Sequence, residues 1–146
     1  MPTAPKLVAA LLFAAIAWLA AEACKPQLPE GMAVGLFAPI AAGVGLLSGW
    51  RVMGRLVGQG VWPSAGHGLR TSLTMLVWVL LIFGIREMYI GTTHMRYAGP
   101  IEAIVGIFTL AGKYALYTTA PAVAGVLVVG GMLAGALTEL AARRWR

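Results

Sequence analysis

The chain has 146 residues, of which 60% are hydrophobic and only 11% are charged. Soluble domains carry about 25% charged residues, and a sphere of this size cannot hide so much apolar surface from water. The composition therefore excludes a soluble globular enzyme, a disordered chain and a coiled coil. The single cysteine excludes a disulfide scaffold. The prediction is a small all-α polytopic membrane protein.

Apolar stretches between charged residues predict the membrane spans. A spanning helix needs about 20 mainly apolar residues, and four spans are expected, near residues 5–24, 33–53, 69–90 and 119–141. The third is short between Arg70 and Arg86, so it must extend past these charges, which can snorkel to the headgroups. The first also has features of a secretory signal, but Glu22 intrudes at its cleavage-like end, and we expect the segment to be retained. The chain is thus predicted to be a single transmembrane domain over 1–146, a four-transmembrane-helix bundle.

The segment between 54 and 68 is rich in glycine and contains Trp62 and Pro63. Such a composition is typical of a turn at the membrane surface. We therefore predict an interfacial turn between the second and third spans.

A further stretch, at about 100–114, predicts an amphipathic helix lying in the membrane interface between spans three and four. Pro100 suits the first turn of a helix, and Glu102 suits the positive end of its dipole. Apolar residues recur there at helical spacing: Ile101, Ile104, Val105 and Phe108. Four tyrosines lie in this connection or at its edges, where we expect the rings in lipid and the hydroxyls in water: Tyr89, Tyr97, Tyr114 and Tyr117.

The distribution of charge predicts the orientation. One side would hold both termini and the loop between spans two and three, with seven basic residues against one acid: Lys6, Arg51, Arg55, Arg70, Arg143, Arg144 and Arg146 against Glu139. The other side has four of each sign. The positive-inside rule therefore places both termini in the cytoplasm. We interpret the basic tail as a topology signal with attraction to anionic lipid headgroups, and we expect no nucleic-acid partner.

Small residues at four-residue spacing mark faces on which helices can approach closely. Gly45 and Gly49 in span two and Gly131 and Gly135 in span four each form a G-x-x-x-G pattern. Helix association in lipid depends on such close backbone approach. These faces could build the internal bundle or dock a partner protein. In the first case, replacing Gly131 or Gly135 by Leu should destabilise the bundle.

The sequence contains no motif typical of a catalytic, cofactor or metal site, so we expect no enzyme activity, no cofactor and no metal. The polar residues near the predicted extracytoplasmic ends form a speculative cluster: Glu22, Cys24, Arg86, Glu87 and Glu102. Glu22 could form a simple local ion pair with Lys25, or it could face a shared pocket with the thiol of Cys24. Arg86, Glu87 and Glu102 could be salt-bridge partners that fix the interfacial helix to the bundle, or they could form an oxyanion site, since Arg binds oxyanions well. Met88, His94 and Met95 could hold copper(I), although plain packing is the commoner role of such residues.

Two cytoplasmic polar residues receive simpler interpretations. Glu139 precedes Arg143 by four residues, which is a normal helical ion pair in the favourable orientation. His67 lies between two glycines and has no candidate partner in the sequence.

Five segments in order, including both ends of the chain, then suggest a family: MPTAPKLVAA at 1–10, KPQLPEG at 25–31, GWRVMG at 49–54, GPIEAIVGIF at 99–108 and TELAARRWR at 138–146. On these segments the chain resembles the TrgA family, small bacterial membrane proteins associated with tellurite resistance. The resemblance implies a four-helix protein of the bacterial inner membrane. It carries no catalytic residues with it, and the middle of the chain, 56–97, matches least.

Two functions from different classes remain open. Export or exclusion of the tellurite oxyanion would need basic or hydrogen-bonding groups along a path through the membrane, and no basic residue is expected at mid-membrane. An accessory or assembly subunit of a larger membrane complex, respiratory or photosynthetic, fits the small-residue faces and short loops. Its resistance phenotype would be indirect, because altered electron flow changes tellurite reduction. We prefer the second mechanism and keep tellurite resistance as the first label. The expected partners are the lipid bilayer and either subunits of such a complex or further copies of this chain.

Overall fold

The computed structural model describes residues 4–28, 30 and 35–145. This part of the chain is all-helical, with the elements α1 (Ala4–Cys24), α2 (Phe37–Ser48), α3 (Gly54–Leu56), α4 (Val61–Thr93), α5 (Pro100–Thr118) and α6 (Pro121–Arg144). A 3-10 turn over Lys25–Gln27 follows α1. A π-turn over Gly49–Met53 joins α2 to α3, so the backbone is helical without interruption from 37 to 56.

Three helices are long and apolar enough to cross a membrane: α1 with its 3-10 turn, α4 and α6. The prediction of an all-α chain with apolar, membrane-length helices is confirmed to this extent. The 33 residues of α4 span about 50 Å, more than the hydrocarbon core requires. The 12 residues of α2 are too few to cross unaided. Positions 33 and 34 of the predicted second span lie outside the described residues.

The connection before α4 is shorter than the sequence predicted. The interfacial turn expected over 54–68 is wrong except at 57–60, because 54–56 form α3 and α4 begins at Val61. Pro63 falls in the first helical turn, where its missing N–H would have no helical partner. Gly68 is a poor helix former, but its lack of a side chain lets α6 approach, and this packing outweighs the local preference.

The glycines of the second predicted span lie against α1. A Cβ added at Gly45 would overlap the carbonyl oxygen of Phe13, and one at Gly49 would overlap that of Ala9. Further along, Gly54 lies against the side chain of Lys6. The helical stretch 37–56 therefore runs antiparallel to α1, with its C-terminal end beside the start of α1.

The glycines of the fourth predicted span lie against α4. A Cβ at Gly131 would overlap the hydroxyl of Ser72, and one at Gly135 would overlap the carbonyl oxygen of Ser64. Gly68 of α4 lies against both Gly131 and Gly135, and a Cβ added to it would overlap the carbonyl oxygen of Gly131. α4 and α6 are therefore antiparallel helices whose backbones touch along a run of small residues.

α5 packs against α4. Gly84 of α4 approaches the carbonyl of Ile107, and the ring of Tyr97 fills the space between Gly91 and Gly106. The apolar stripe expected for this helix points away from the protein, with exposed fractions between 55% and 78%: Ile101, Ile104, Val105 and Phe108. Such a face suits contact with lipid.

Candidate functional site

The structure gives the residues of the speculative polar cluster separate partners. Glu22 forms an exposed ion pair with Lys25, one helical turn away. Arg86 pairs with its neighbour Glu87 at 3.2 Å. Glu102 accepts a hydrogen bond from the backbone N–H of Ala98 at 2.8 Å, which fixes the chain entering α5. Each of these carboxylates is thus neutralised or bonded locally.

Cys24 occupies a different environment from its neighbour Glu22. Its side chain is buried and lines an apolar cavity of about 40 Å³ together with Phe37, Phe83 and Tyr114. Glu22 is exposed and does not line this cavity. The space could hold only a few water-sized groups. The thiol is therefore packed as a small apolar side chain in the core.

Aromatic side chains form a cluster beside the cavity that Cys24 lines. Phe37 and Phe83 have ring centroids 4.5 Å apart, and Phe83 lies 6.3 Å from Tyr114. Tyr114 in turn contacts Tyr117 edge-on at 6.5 Å. The expectation of a wet hydroxyl and lipid-facing ring is wrong for Tyr114, which is 6% exposed. Burial and, after it, the charge of Glu87 raise the pKa of Tyr114 to about 12, so its phenol stays protonated.

Two of the residues considered for copper, Met88 and Met95, have different surroundings. The sulfur of Met88 lies 3.5 Å from the hydroxyl of Thr92 on the same helix. Met95 is 94% exposed and has a positive φ of 54° in the turn that follows α4. Across the described residues, no three His, Cys, Asp or Glu side chains gather as a metal site would need.

A polar site that the sequence reading missed is built around Glu139. This carboxylate is 2% exposed. It accepts hydrogen bonds from the backbone N–H of Gly58 at 2.7 Å and of Gly60 at 3.3 Å. The hydroxyl of Ser64 donates a third bond at 3.1 Å. The predicted partner, Arg143, lies 3.5 Å away with a side chain 59% exposed.

The three donors belong to the connection before α4 and to its first turn. Gly58 and Gly60 have φ values of 106° and 111°, a conformation that residues with a side chain rarely adopt. The N–H groups of these two glycines point toward the carboxylate, where the positive end of the α4 dipole adds attraction. Glu139 therefore acts as a cap for α4 supplied by another helix. The interpretation as an ordinary helical pair with Arg143 is incomplete for this reason.

The sequence did contain a signal for this site. Gly131, Gly135 and Glu139 follow one another at four-residue spacing, so the carboxylate continues the small-residue face of α6. A charged group on a face that must touch another helix needs a partner there. His67, which had no candidate partner, also finds one across the connection, with Nε2 lying 3.1 Å from the amide oxygen of Gln59.

Comparisons of the chain with known protein families, with curated proteins and with solved structures find no match. Its own residues must therefore carry any functional conclusion. These residues form a close-packed helical body in which the carboxylates of Glu22, Glu87, Glu102 and Glu139 are held in local ion pairs or hydrogen bonds.

Proposed function

We propose that this chain is a multi-pass, non-catalytic protein of the bacterial cytoplasmic membrane, of the tellurite-resistance TrgA type. In this proposal it acts as an accessory or assembly subunit of a larger respiratory or photosynthetic complex. Its effect on tellurite resistance is then indirect, through the electron flow that reduces the oxyanion. The family label rests on the resemblance of the five segments quoted above.

The observation that carries the proposal is the local pairing of Arg86 with Glu87. Arg86 is the basic residue that an oxyanion site on the extracytoplasmic side would use. Its guanidinium lies against a carboxylate, and a doubly charged oxyanion approaching it would meet a like charge at close range. The pair favours a structural role for Arg86 over direct binding of tellurite.

The packing supports the same conclusion. Interfaces between α1 and α2 and between α4 and α6 are built from small residues with touching backbones. Such interfaces make a rigid body rather than a hydrated path. A rigid apolar body with short connections is suited to occupying a fixed place beside other membrane subunits.

The proposed topology has four spans, with the helical stretch 37–56 contributing the second, and both termini in the cytoplasm. The distribution of basic residues supports this orientation. The end of α6 carries Arg143, Arg144 and the exposed Trp145, as expected of a helix end at the cytoplasmic surface.

The test is affinity capture of the tagged protein after gentle detergent extraction from native membranes, followed by mass spectrometry. We expect stoichiometric recovery with subunits of a redox complex. Recovery of the chain alone, or only as a homo-oligomer, would contradict the accessory role and favour a self-contained resistance protein.

A variant separates the two mechanisms directly. Arg86→Ala should leave the tellurite tolerance of cells at the wild-type level, provided that deletion of the protein lowers it. Arg96→Ala, at an exposed arginine in the following turn, is the matched control. Loss of tolerance in Arg86→Ala alone, with normal protein abundance, would indicate a direct oxyanion site.

A further inference from the structure

A groove between α1 and α6 lies at the end of the protein that carries the excess of basic residues. Its walls are Val8 and Leu12 from α1 and Leu137 and Leu140 from α6, and Arg144 and Trp145 close one end. Its volume is about 430 Å³, within the range of ligand sites. Leu137 to Arg144 spans about 10 Å along the helix. The groove is therefore an apolar channel that ends at a positive charge.

A second groove, between α2 and α4, has the same construction. Val44, Leu47 and Trp78 provide apolar walls, and Arg51 lies at one end. Its volume is about 390 Å³. Neither Arg51 nor Arg144 forms an ion pair with any residue that the structure describes. Arg51 and Arg144 are both exposed residues.

The arginines of the two grooves lie at the same end of the protein. Gly49, two residues before Arg51, lies against the backbone of Ala9. Val8, the neighbour of Ala9, lines the first groove with Arg144. The start of α1 thus lies between the two arginines, at one level along the helix axes.

We propose that each groove binds one anionic phospholipid, with an acyl chain along the apolar walls and the phosphate at Arg144 or Arg51. The inference rests on the topology proposed above, which puts this end at the cytoplasmic leaflet. Charge complementarity selects the occupant. An apolar wall that leads to a guanidinium with no ion-pair partner among the described residues matches part of an acyl chain with a phosphodiester at its end. Trp145, 61% exposed beside Arg144, suits the same interfacial level.

The test uses delipidated protein in a non-ionic detergent, titrated with dioleoylphosphatidylglycerol and observed by native mass spectrometry. Dioleoylphosphatidylethanolamine, which has the same acyl chains but no net charge, is the reference lipid. We expect two phosphatidylglycerol molecules to be retained per chain, about fivefold more tightly than the zwitterionic lipid at each site.

Charge variants assign the sites. Arg144→Gln and Arg51→Gln should each lose the preference for phosphatidylglycerol at one of the two sites. Arg55→Gln removes an exposed arginine from the same end, outside both grooves, and should keep both sites. Leu140→Gln should weaken binding of both lipids at the first groove, because that wall contacts the acyl chain. Slow reaction of Cys24 with a thiol reagent confirms that each variant is folded, since this side chain is buried.

Equal retention of the two lipids by the wild-type chain would overturn the proposal. The proposal would also be overturned if Arg55→Gln lost as much of the preference for phosphatidylglycerol as the groove variants do. Failure to bind lipid, combined with a captured partner protein that Leu140→Gln releases, would assign the first groove to a protein helix instead. Because the titration uses the purified chain, its outcome is independent of the partner capture that tests the accessory role.

Discussion

Replacing Glu139 by Gln removes the charge of the interhelical cap with almost no change in shape. One carboxylate oxygen accepts from Gly58 and Ser64, and the other accepts from Gly60 and lies beside Arg143. A glutamine oxygen can keep the first pair of bonds. Its NH₂ group would then face the N–H of Gly60, which is left without an acceptor.

The size of the effect follows from these bonds. Hydrogen bonds to a charged group contribute about 1.5–3 kcal/mol and neutral ones about 1, while a buried donor left unpaired costs about 1–3 kcal/mol. In Glu139→Gln the bonds from Gly58 and Ser64 are weakened and the bond from Gly60 is lost. Together these changes predict a decrease of about 2–4 kcal/mol in the free energy of unfolding. For a chain of this size that lowers the midpoint of thermal unfolding by about 5–15 °C.

The chain provides its own reporter for this measurement. Cys24 is the single cysteine and is buried, so a thiol-reactive fluorophore becomes bright only as the protein unfolds. Glu22→Gln makes the same chemical change at an exposed carboxylate and should shift the midpoint by less than about 2 °C. An equal shift in the two variants would refute the reasoning that Glu139 caps α4.

Two glycine substitutions test other parts of the fold with the same assay. Gly135→Ala should lower the unfolding midpoint by several degrees because its Cβ would overlap α4, whereas Gly125→Ala, at an open position of the same helix, should leave it unchanged or raise it slightly; a decrease in both would point to a general intolerance of α6. Gly60→Ala should destabilise by about 1–3 kcal/mol through its backbone conformation alone, since a Cβ there meets nothing closer than ordinary contact. An unchanged midpoint for Gly60→Ala would mean that the connection adopts another conformation.

The sequence was sufficient to predict the helical class and the long apolar helices, because these depend on composition and on distances between charges along the chain. It was misleading where structure depends on a distant partner. The start of α4 lies in a segment with unfavourable local propensity, and contact of Gly68 with α6 makes it helical. Tyr114 looked interfacial because Phe83, the aromatic residue that helps to bury it, lies on another helix.

Glu139 illustrates the same limit at the candidate site. Its sequence neighbour Arg143 offered a complete local explanation, four residues away, and no local feature contradicted it. The stronger partners come from positions 75 to 81 residues earlier. Reading the i, i+4 face of α6 as one surface would have marked the carboxylate as interhelical, but the identity of its donors depends on how α4 docks.

The separation of 81 residues between Gly58 and Glu139 also bears on biogenesis. The ribosome makes the connection before α4 long before it makes the carboxylate that closes it. In the topology proposed above, the N–H groups of this connection can only bind water while α4 enters the bilayer. They find their acceptor only when α6 has packed beside α4. The connection over 57–60 can therefore be hydrogen-bonded to Glu139 only after α6 has been made. In a nascent or truncated protein its N–H groups would lack this acceptor, and proteases at the membrane surface would meet an unprotected segment.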